Sequence, residues 1–448
     1  MKLQQAFDIV RGDVIAFVGA GGKTSTMIAL AHELADSGWR VLATTTTRIG
    51  LDQLELMPAA LPVDCDRSEI STALSDFRFV FLYGRIQGDK VYGVSSDAIS
   101  YLLDTVDSDV LLIEADGARG LPLKAPKSHE PVIPDEVSLV VPIAGLSVLG
   151  QPLDEDHVYN AQAVHDRYGF GIGNRVKFPW IAQVLRDDQF GLRSIPAQAR
   201  VIAFLNQTPP NGFMRLRARL TAHLILRVPR VHSVVLGSAR AADPVCEVQR
   251  HIGVVTLAAG MSQRMGRPKM LLPWEGRRTI IEHIIHQIYL ARLTNVTVVT
   301  GYYAGEITSR VTPMGANIAY NSDYAQGEML SSLKVGLQAM PPHVSAALVV
   351  LGDQPRIQPR IINQILLAYA EGAGDIVAPS YQMRRGHPIL IDRRYWPEIL
   401  ALPADGAPRD VINAHQDRIA YVNVDNDSIL VDVDTPEDYR RERRRAGL

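Results

Sequence analysis

Two glycine-rich turns, each followed by basic residues, stand in opposite halves of the chain: GAGGKTS at 19–25 and AAGMSQRMGRPK at 258–269. A turn of this kind between a strand and a helix aims backbone N–H groups and the helix dipole at an anion. In the first turn Gly19, Gly21 and Gly22 precede Lys23, which can neutralise outer phosphates, while Thr24 or Ser25 can reach a magnesium ion. The match to GxxxxGK[ST] is incomplete, because Phe17 stands where the first glycine belongs. A plain tight turn is the simpler alternative; the strand-loop-helix setting and the GKTS run favour nucleotide binding. In the second turn Arg264 and Lys269 supply the cations. Nucleotidyl transfer attacks an α-phosphate and expels pyrophosphate, whose growing charge must meet prepositioned cations and N–H groups. Arginine forks onto phosphate oxygens, and lysine adds a compact charge.

Carboxylates accompany both turns. The run VLLIEADG ends in Glu114 and Asp116, where a strand tip faces the ligand crevice and can hold magnesium or its waters. Taken singly, either one can instead cap a helix. ALVVLGDQP likewise ends in Asp353, and ILVDVDTPEDY places Asp432 and Asp434 on one face of an alternating segment. Either can be the second metal ligand; Asp434 is favoured because it precedes the helix-start signal Thr435-Pro436. The stretch GARGLPLKAPKSHEPVIP gathers Arg119, Lys124, Lys127, His129 and Glu130 into one proline-punctuated loop, expected to face a substrate. Thr44 to Thr47 offer four hydroxyls near the expected phosphates, or merely β-branched strand residues.

Such groups need elements to place them. Apolar runs bounded by turns predict buried strands at 14–18, 40–43, 79–83, 110–113, 138–141, 201–205 and 231–236, with helical patterns such as 24–37 between them. After GSARAADPVCEVQR the pattern restarts with strands at 252–257, 296–300, 347–351, 375–378 and 419–424 and a helix at 279–291. Two α/β domains follow, 1–247 and 248–448, as expected for 448 residues. Hydrophobic residues at 47% and charged residues at 21% exclude disorder, and 46 basic against 48 acidic residues give no global field for nucleic acid. Cys65 and Cys246 stand far apart with no zinc spacing. No apolar run approaches the roughly 20 residues that a bilayer requires, and no signal pattern opens the chain, so a cytoplasmic protein without a membrane partner is expected. The basic tail RRERRRAGL reads as a solvated helix end.

GAGGKTS, the TTTT run and EADGARGLPLKAPKSHEPVIP resemble the YqeC family, accessory proteins of selenium-dependent molybdenum hydroxylases, over most of residues 1–240. The loop is also similar to that of Mur ligases. The resemblance implies a P-loop-type parallel α/β domain that binds ATP or GTP. A strand ending in Asn-Lys-x-Asp would read guanine, whereas Asn206 is followed by Gln207, Thr208 and Pro209, which leaves the base open.

From Ile252 to Tyr439 the LAAG loop, GDQP, RGHP and DVDTPED resemble, in order, the molybdenum cofactor cytidylyltransferases, a branch of the Rossmann-like (GT-A-like) nucleotidyltransferases. The resemblance implies that Leu257, Ala258, Ala259, Gly260, Ser262, Arg264 and Lys269 wrap the nucleotide, and that Ser332 contacts the base. It also implies that Asp353 and Asp434 hold magnesium and that His387 sits near the pterin, although a lone histidine before proline can equally pack a loop. CTP and molybdenum-bearing molybdopterin are then the substrates, and a molybdenum hydroxylase is the client. Related guanylyltransferases carry LAGG, so the Ala259 methyl is expected to favour cytosine. Two other readings stand beside this one: transfer to another phosphorylated small molecule, or a cofactor carrier whose release is gated by nucleotide.

Overall fold

The computed structural model describes residues 1–325 and 329–448, and the chain divides into two units, Met1–Gln249 and Arg250–Leu448. In the first unit the buried apolar runs become β1 (Val14–Gly19), β2 (Val41–Thr45), β3 (Phe79–Tyr83), β4 (Val110–Glu114), β5 (Leu139–Gly145), β6 (Arg200–Asn206) and β7 (Ser233–Gly237). They lie in the order β7-β6-β5-β1-β4-β2-β3 inside a nine-stranded sheet. Every pairing along this stretch is parallel. Helices cover both faces of such a sheet, which is why these strands read as continuous apolar runs instead of alternating ones.

Strand β4 slots between β1 and β2, with Phe17 opposite Glu114 in the register. The acidic tip of β4 therefore stands beside the tip of β1 and the glycine turn. Phe17 is fully buried in the core. It occupies a packing position, so the turn starts only at Gly19, and the expected first glycine has no place there. Helix α1 (Lys23–Asp36) begins at Gly22, whose φ of 117° suits glycine. A side chain at Gly21 would come within 2.2 Å of Gly145 N, so the turn packs against β5 through bare backbone. The stretch expected to link the units ends in a strand of its own, Val245–Arg250, on the edge of this sheet next to β7.

The second unit contains β8 (Ile252–Ala258), α2 (Ile280–Leu290), β9 (Asn295–Thr300), β10 (Asn317–Tyr320), α3 (Met329–Gln338), β11 (Ala346–Leu351), β12 (Ile376–Tyr381), β13 (Ile389–Asp392), β14 (Ile419–Asn423) and α4 (Pro436–Arg445). The sheet runs β10-β9-β8-β11-β13-β12, with β14 paired to β12. Its first four strands are parallel, whereas β13 is antiparallel to both β11 and β12. This reversal has a consequence for the site. It brings the residues that enter β13, His387 among them, to the C-terminal end of β11, where Asp353 follows.

The alternating segment that carries Asp432 and Asp434 does not form a strand: residues 431–434 have no regular structure. Val433 N–H instead donates to Asp353 O at 2.9 Å, so this backbone answers the loop after β11 and not a ladder. Among the described residues no helix is long and apolar enough to cross a membrane.

Candidate functional site

In the first unit the glycine turn folds its lysine back on itself. Lys23, 4% exposed, donates from Nζ to Gly19 O at 2.8 Å and pairs with Asp116 at 3.2 Å and Glu114 at 3.8 Å. Asp116 Oδ2 accepts from Gly19 N–H at 3.0 Å, and Glu114 Oε2 accepts from the Thr24 hydroxyl at 2.6 Å. Burial disfavours the charge on Lys23, yet Asp116 and then Glu114 outweigh it and raise its pKa. Glu114 is pushed up by burial despite the more distant Lys23. No helix follows β4 directly, so neither carboxylate serves as a helix cap; both face the turn.

Asn206 plays a part that the sequence reading missed. Its Nδ2 donates to Gly21 O at 2.7 Å, while its Oδ1 accepts from Gln207 N at 2.9 Å and Ala239 N at 3.1 Å. It thereby ties the glycine turn to the loop after β7. That loop also brings Arg240 to the Ser25 hydroxyl at 3.2 Å. The only sequence signal for Arg240 was its position after a strand end. The threonine run has the plainer role: Thr44, Thr45 and Thr46 donate to the carbonyls of Leu82, Glu114 and Val132.

In the second unit the loop after β8 carries Ser262 at φ 54° and accepts Lys269 N–H on the Ser262 hydroxyl at 3.2 Å. That bond folds the loop so that Lys269 points inward. Its Nζ lies 2.7 Å from Asp353 and 2.9 Å from Asp434, and Arg264 reaches the other Asp434 oxygen at 2.8 Å. Burial opposes the charge on Lys269, but Asp353 and Asp434 outweigh it and raise the pKa. Asp432 lies near the same group but accepts from Gln354 at 2.8 Å, and burial and then the neighbouring Asp353 carboxylate raise its pKa. Thr435, not Asp434, caps α4, since its hydroxyl accepts from Asp438 N at 3.1 Å. Asp434 is thus left to the two cations.

Ala259 lies against the backbone of Gly301, where a side chain would come within 2.9 Å of the Ala259 methyl. Gly260 follows with open space beside it. Ser332, on α3, accepts from Asn321 Nδ2 at 3.0 Å. Asn321 is 1% exposed, sits just past β10 and was not singled out from the sequence. His387 is brought near Asp353 as the strand order requires, and burial lowers its pKa to about 4, which keeps the ring neutral near pH 7. Among the described residues no set of three or more His, Cys, Asp or Glu side chains is grouped to hold a metal by itself. Each site offers two carboxylates, so a divalent ion would complete its shell with phosphate oxygens and water, the usual habit of magnesium.

The family described as YqeC protein matches residues 15–162, and the family described as MobA-like NTP transferase domain matches residues 254–419. An uncharacterized YqeC protein of Escherichia coli K12 is 34% identical over 44% of this chain and 77% of its own length. The molybdenum cofactor cytidylyltransferase of the same strain is 31% identical over 42% of this chain and 93% of that protein. The chain joins a YqeC domain to a MobA-like transferase domain. Its transferase domain is a nucleotidyltransferase related to molybdenum cofactor cytidylyltransferase. A nicotine blue oxidoreductase of Paenarthrobacter nicotinovorans is also similar to the transferase domain, at 30% identity over 42% of this chain and 94% of that protein.

Proposed function

We propose that the transferase domain moves CMP from CTP to the terminal phosphate of molybdenum-bearing molybdopterin, giving the cytosine dinucleotide cofactor and pyrophosphate. The YqeC domain binds ATP or GTP and hydrolyses it in a linked step, and the client is a cytoplasmic molybdenum hydroxylase. One observation carries the first reading: Lys269 is gripped by Asp353 and Asp434 while Arg264 reaches the same Asp434. This puts two cations and two carboxylates at the end of a glycine turn, the set that triphosphate chemistry needs.

The acceptor phosphate is ionised near neutral pH, so no general base and no covalent enzyme intermediate are required. Arg264 and Lys269 orient the triphosphate and meet the charge that develops on the leaving pyrophosphate. The loop from Leu257 to Gly260 provides the wall for the nucleotide, and Ser332 holds a hydroxyl for the base edge, fixed by Asn321. Asp353 and Asp434 suit a magnesium ion, which when bound offsets charge on phosphate oxygens. His387, neutral and beside Asp353, offers a hydrogen bond to the pterin side without adding charge.

In the YqeC domain, β4 lies directly beside β1, with Lys23, Thr24, Glu114 and Asp116 clustered at their tips. This arrangement supports a phosphate loop with a neighbouring carboxylate pair that would hold magnesium. The deciding experiment incubates the full chain with molybdenum cofactor and each of the four triphosphates and follows pyrophosphate release. Release with CTP, together with cytosine dinucleotide product, is expected. Bound pterin fluorescence without pyrophosphate release would favour a carrier, and release only with other phosphorylated acceptors would move the substrate.

A further inference from the structure

The loop that follows β4 gathers more positive charge than the phosphate turn can use. Lys124, 3% exposed, pairs with Asp116 at 3.1 Å and Glu130 at 2.9 Å and donates to Gly117 O. Asp116 therefore stands between two buried lysines, Lys23 from the glycine turn and Lys124 from this loop. The loop itself lies against the turn, because Gly21 N–H donates to Leu121 O at 2.9 Å and Gly145 N–H to Pro122 O at 2.7 Å.

Three cations then converge on one half-buried ring. Arg119, Lys124 and Lys127 lie 5.7, 4.8 and 5.6 Å from the centre of Tyr159. Lys124 has its carboxylates, and Glu130 also accepts from the Lys127 backbone N–H at 3.2 Å, but among the described residues neither the Arg119 guanidinium nor the Lys127 ammonium has a carboxylate within 4.0 Å. An exposed cation gains only about 0.5–1 kcal/mol from an aromatic face, and like charges gathered on one ring repel each other. Arg119, at φ 51°, and Gly120, at φ 75°, form a tight turn closed by Leu121 N–H to Ala118 O at 3.0 Å, which sets the arginine side chain beside Tyr159. A guanidinium and an ammonium without carboxylate partners, sharing one ring with a buried lysine, are poised for an anion that is not part of this chain.

We propose that Arg119, Lys124 and Lys127 around Tyr159 form a second anion site beside the glycine turn, which takes a tetrahedral oxyanion, free or as a phosphate monoester, as the co-substrate of the YqeC domain. This rests on the reading of Gly19 to Ser25 as a nucleotide site, since Asp116 links the two through Lys23 and Lys124. It names the chemical class of the domain's other ligand, which that reading leaves open.

Calorimetric titration of the full chain with inorganic phosphate tests it. The glycine turn is first saturated with a non-hydrolysable ATP analogue and magnesium, and the transferase domain with CTP. The parent is expected to bind one further phosphate, with affinity at least tenfold lower in Arg119→Ala/Lys127→Ala. Both side chains are exposed, and a melting curve confirms that the variant is folded. Lys127→Glu, which reverses the charge, is expected to abolish the binding. A parallel titration with phenyl phosphate separates the sources: tighter binding than inorganic phosphate points to a monoester, equal or weaker binding to the free ion. Equal phosphate affinity in parent and double variant overturns the second site. So does a double variant that loses the ATP analogue along with phosphate, because the cations would then belong to the nucleotide. If the parent fails to bind the ATP analogue at all, the nucleotide reading falls, and the phosphate titration without analogue still decides the anion site.

Discussion

Lys23, Glu114 and Asp116 of the YqeC domain are 4%, 5% and 2% exposed, whereas the Arg264 and Asp434 side chains of the transferase domain are 74% and 28% exposed. Both domains set a glycine turn, a lysine and two carboxylates together, although Asp434 of the transferase domain comes from the irregular segment before α4 and not from a strand tip. They differ in what holds the charges. A pair of unit charges 4 Å apart interacts by about 1 kcal/mol in water and about 4 kcal/mol at the effective dielectric of a protein surface. The buried set is therefore stiff and already built, but each ionised group in it carries a desolvation penalty. The open set around Asp434 rearranges cheaply and gains most when a ligand covers it.

The largest expected effect breaks the open set. Asp353→Asn and Asp434→Asn should each lower cytidylyl transfer by about 100- to 1,000-fold, the scale of losing one electrostatic stabiliser of a transition state. An amide keeps the size of the side chain and removes the charge that both Lys269 and a magnesium ion need. Steady-state kcat/KM for CTP against magnesium concentration is the measurement; Asp432→Asn, whose carboxylate bonds Gln354 instead, is the comparison. A larger loss in Asp432→Asn than in Asp434→Asn would exchange their roles.

The second effect tests whether the two sets are independent. Lys23→Ala removes a charge-assisted contact of about 1.5–3 kcal/mol, so triphosphate binding to the YqeC domain should weaken roughly 10- to 150-fold. Cytidylyl transfer by the same folded protein should keep the parental rate. Loss of both activities would show that nucleotide in one domain governs the other.

How far the sequence reached follows the same division. The parallel strands were legible, because strands buried on both faces are written as unbroken apolar runs, and β3 was read at Phe79–Tyr83 as found. Lys23, Glu114, Asp116 and Asp353 could be placed because each sits within a few residues of a strand tip, and Lys269 because it closes the glycine loop that follows β8. The antiparallel β13 was not legible, since a run of three apolar residues, Ile389 to Ile391, carries no direction. Asp432 and Asp434 were assigned to a strand on alternation alone, and the hydrogen bond from Val433 to Asp353 took that backbone elsewhere. Asn206, Asn321 and Arg240 were missed as structural ties because their partners come from distant segments. No local pattern marks such pairs.

A smaller effect sharpens the view of the open site. The Ala259 methyl lies against Gly301, so Ala259→Gly should loosen this wall and let a purine approach. One methyl in a pocket is worth about 1–3 kcal/mol, or roughly 10- to 200-fold. The ratio of kcat/KM for CTP to that for GTP should therefore fall toward the low end of that range in the variant, because part of the methyl faces protein. A parent that uses GTP as well as CTP would end the cytidylyl assignment and leave the nucleotidyltransferase intact. An unmoved ratio in the variant would shift base selection to Ser332 and Asn321.

The smallest effect belongs to the buried set and has the opposite sign. Burial pushes the Glu114 carboxyl above its ordinary range, so the folded YqeC domain holds that proton more tightly than the unfolded chain does. Stability from this group is full below the unfolded pKa of about 4.5 and is lost as pH rises through the folded value. Glu114→Gln removes the ionising group while keeping an oxygen to accept from the Thr24 hydroxyl. The ligand-free variant should therefore melt higher than the parent at pH 8. The gain should shrink as pH falls toward 4.5. On the proposed reading of this site the same substitution should also abolish nucleotide hydrolysis, because it removes a carboxylate that would hold the cation. Thermal melts of both proteins from pH 5 to pH 8 decide it: a parent as stable as Glu114→Gln across that range would mean that Lys23 compensates Glu114 fully, and the two domains would then differ in exposure without differing in stored strain.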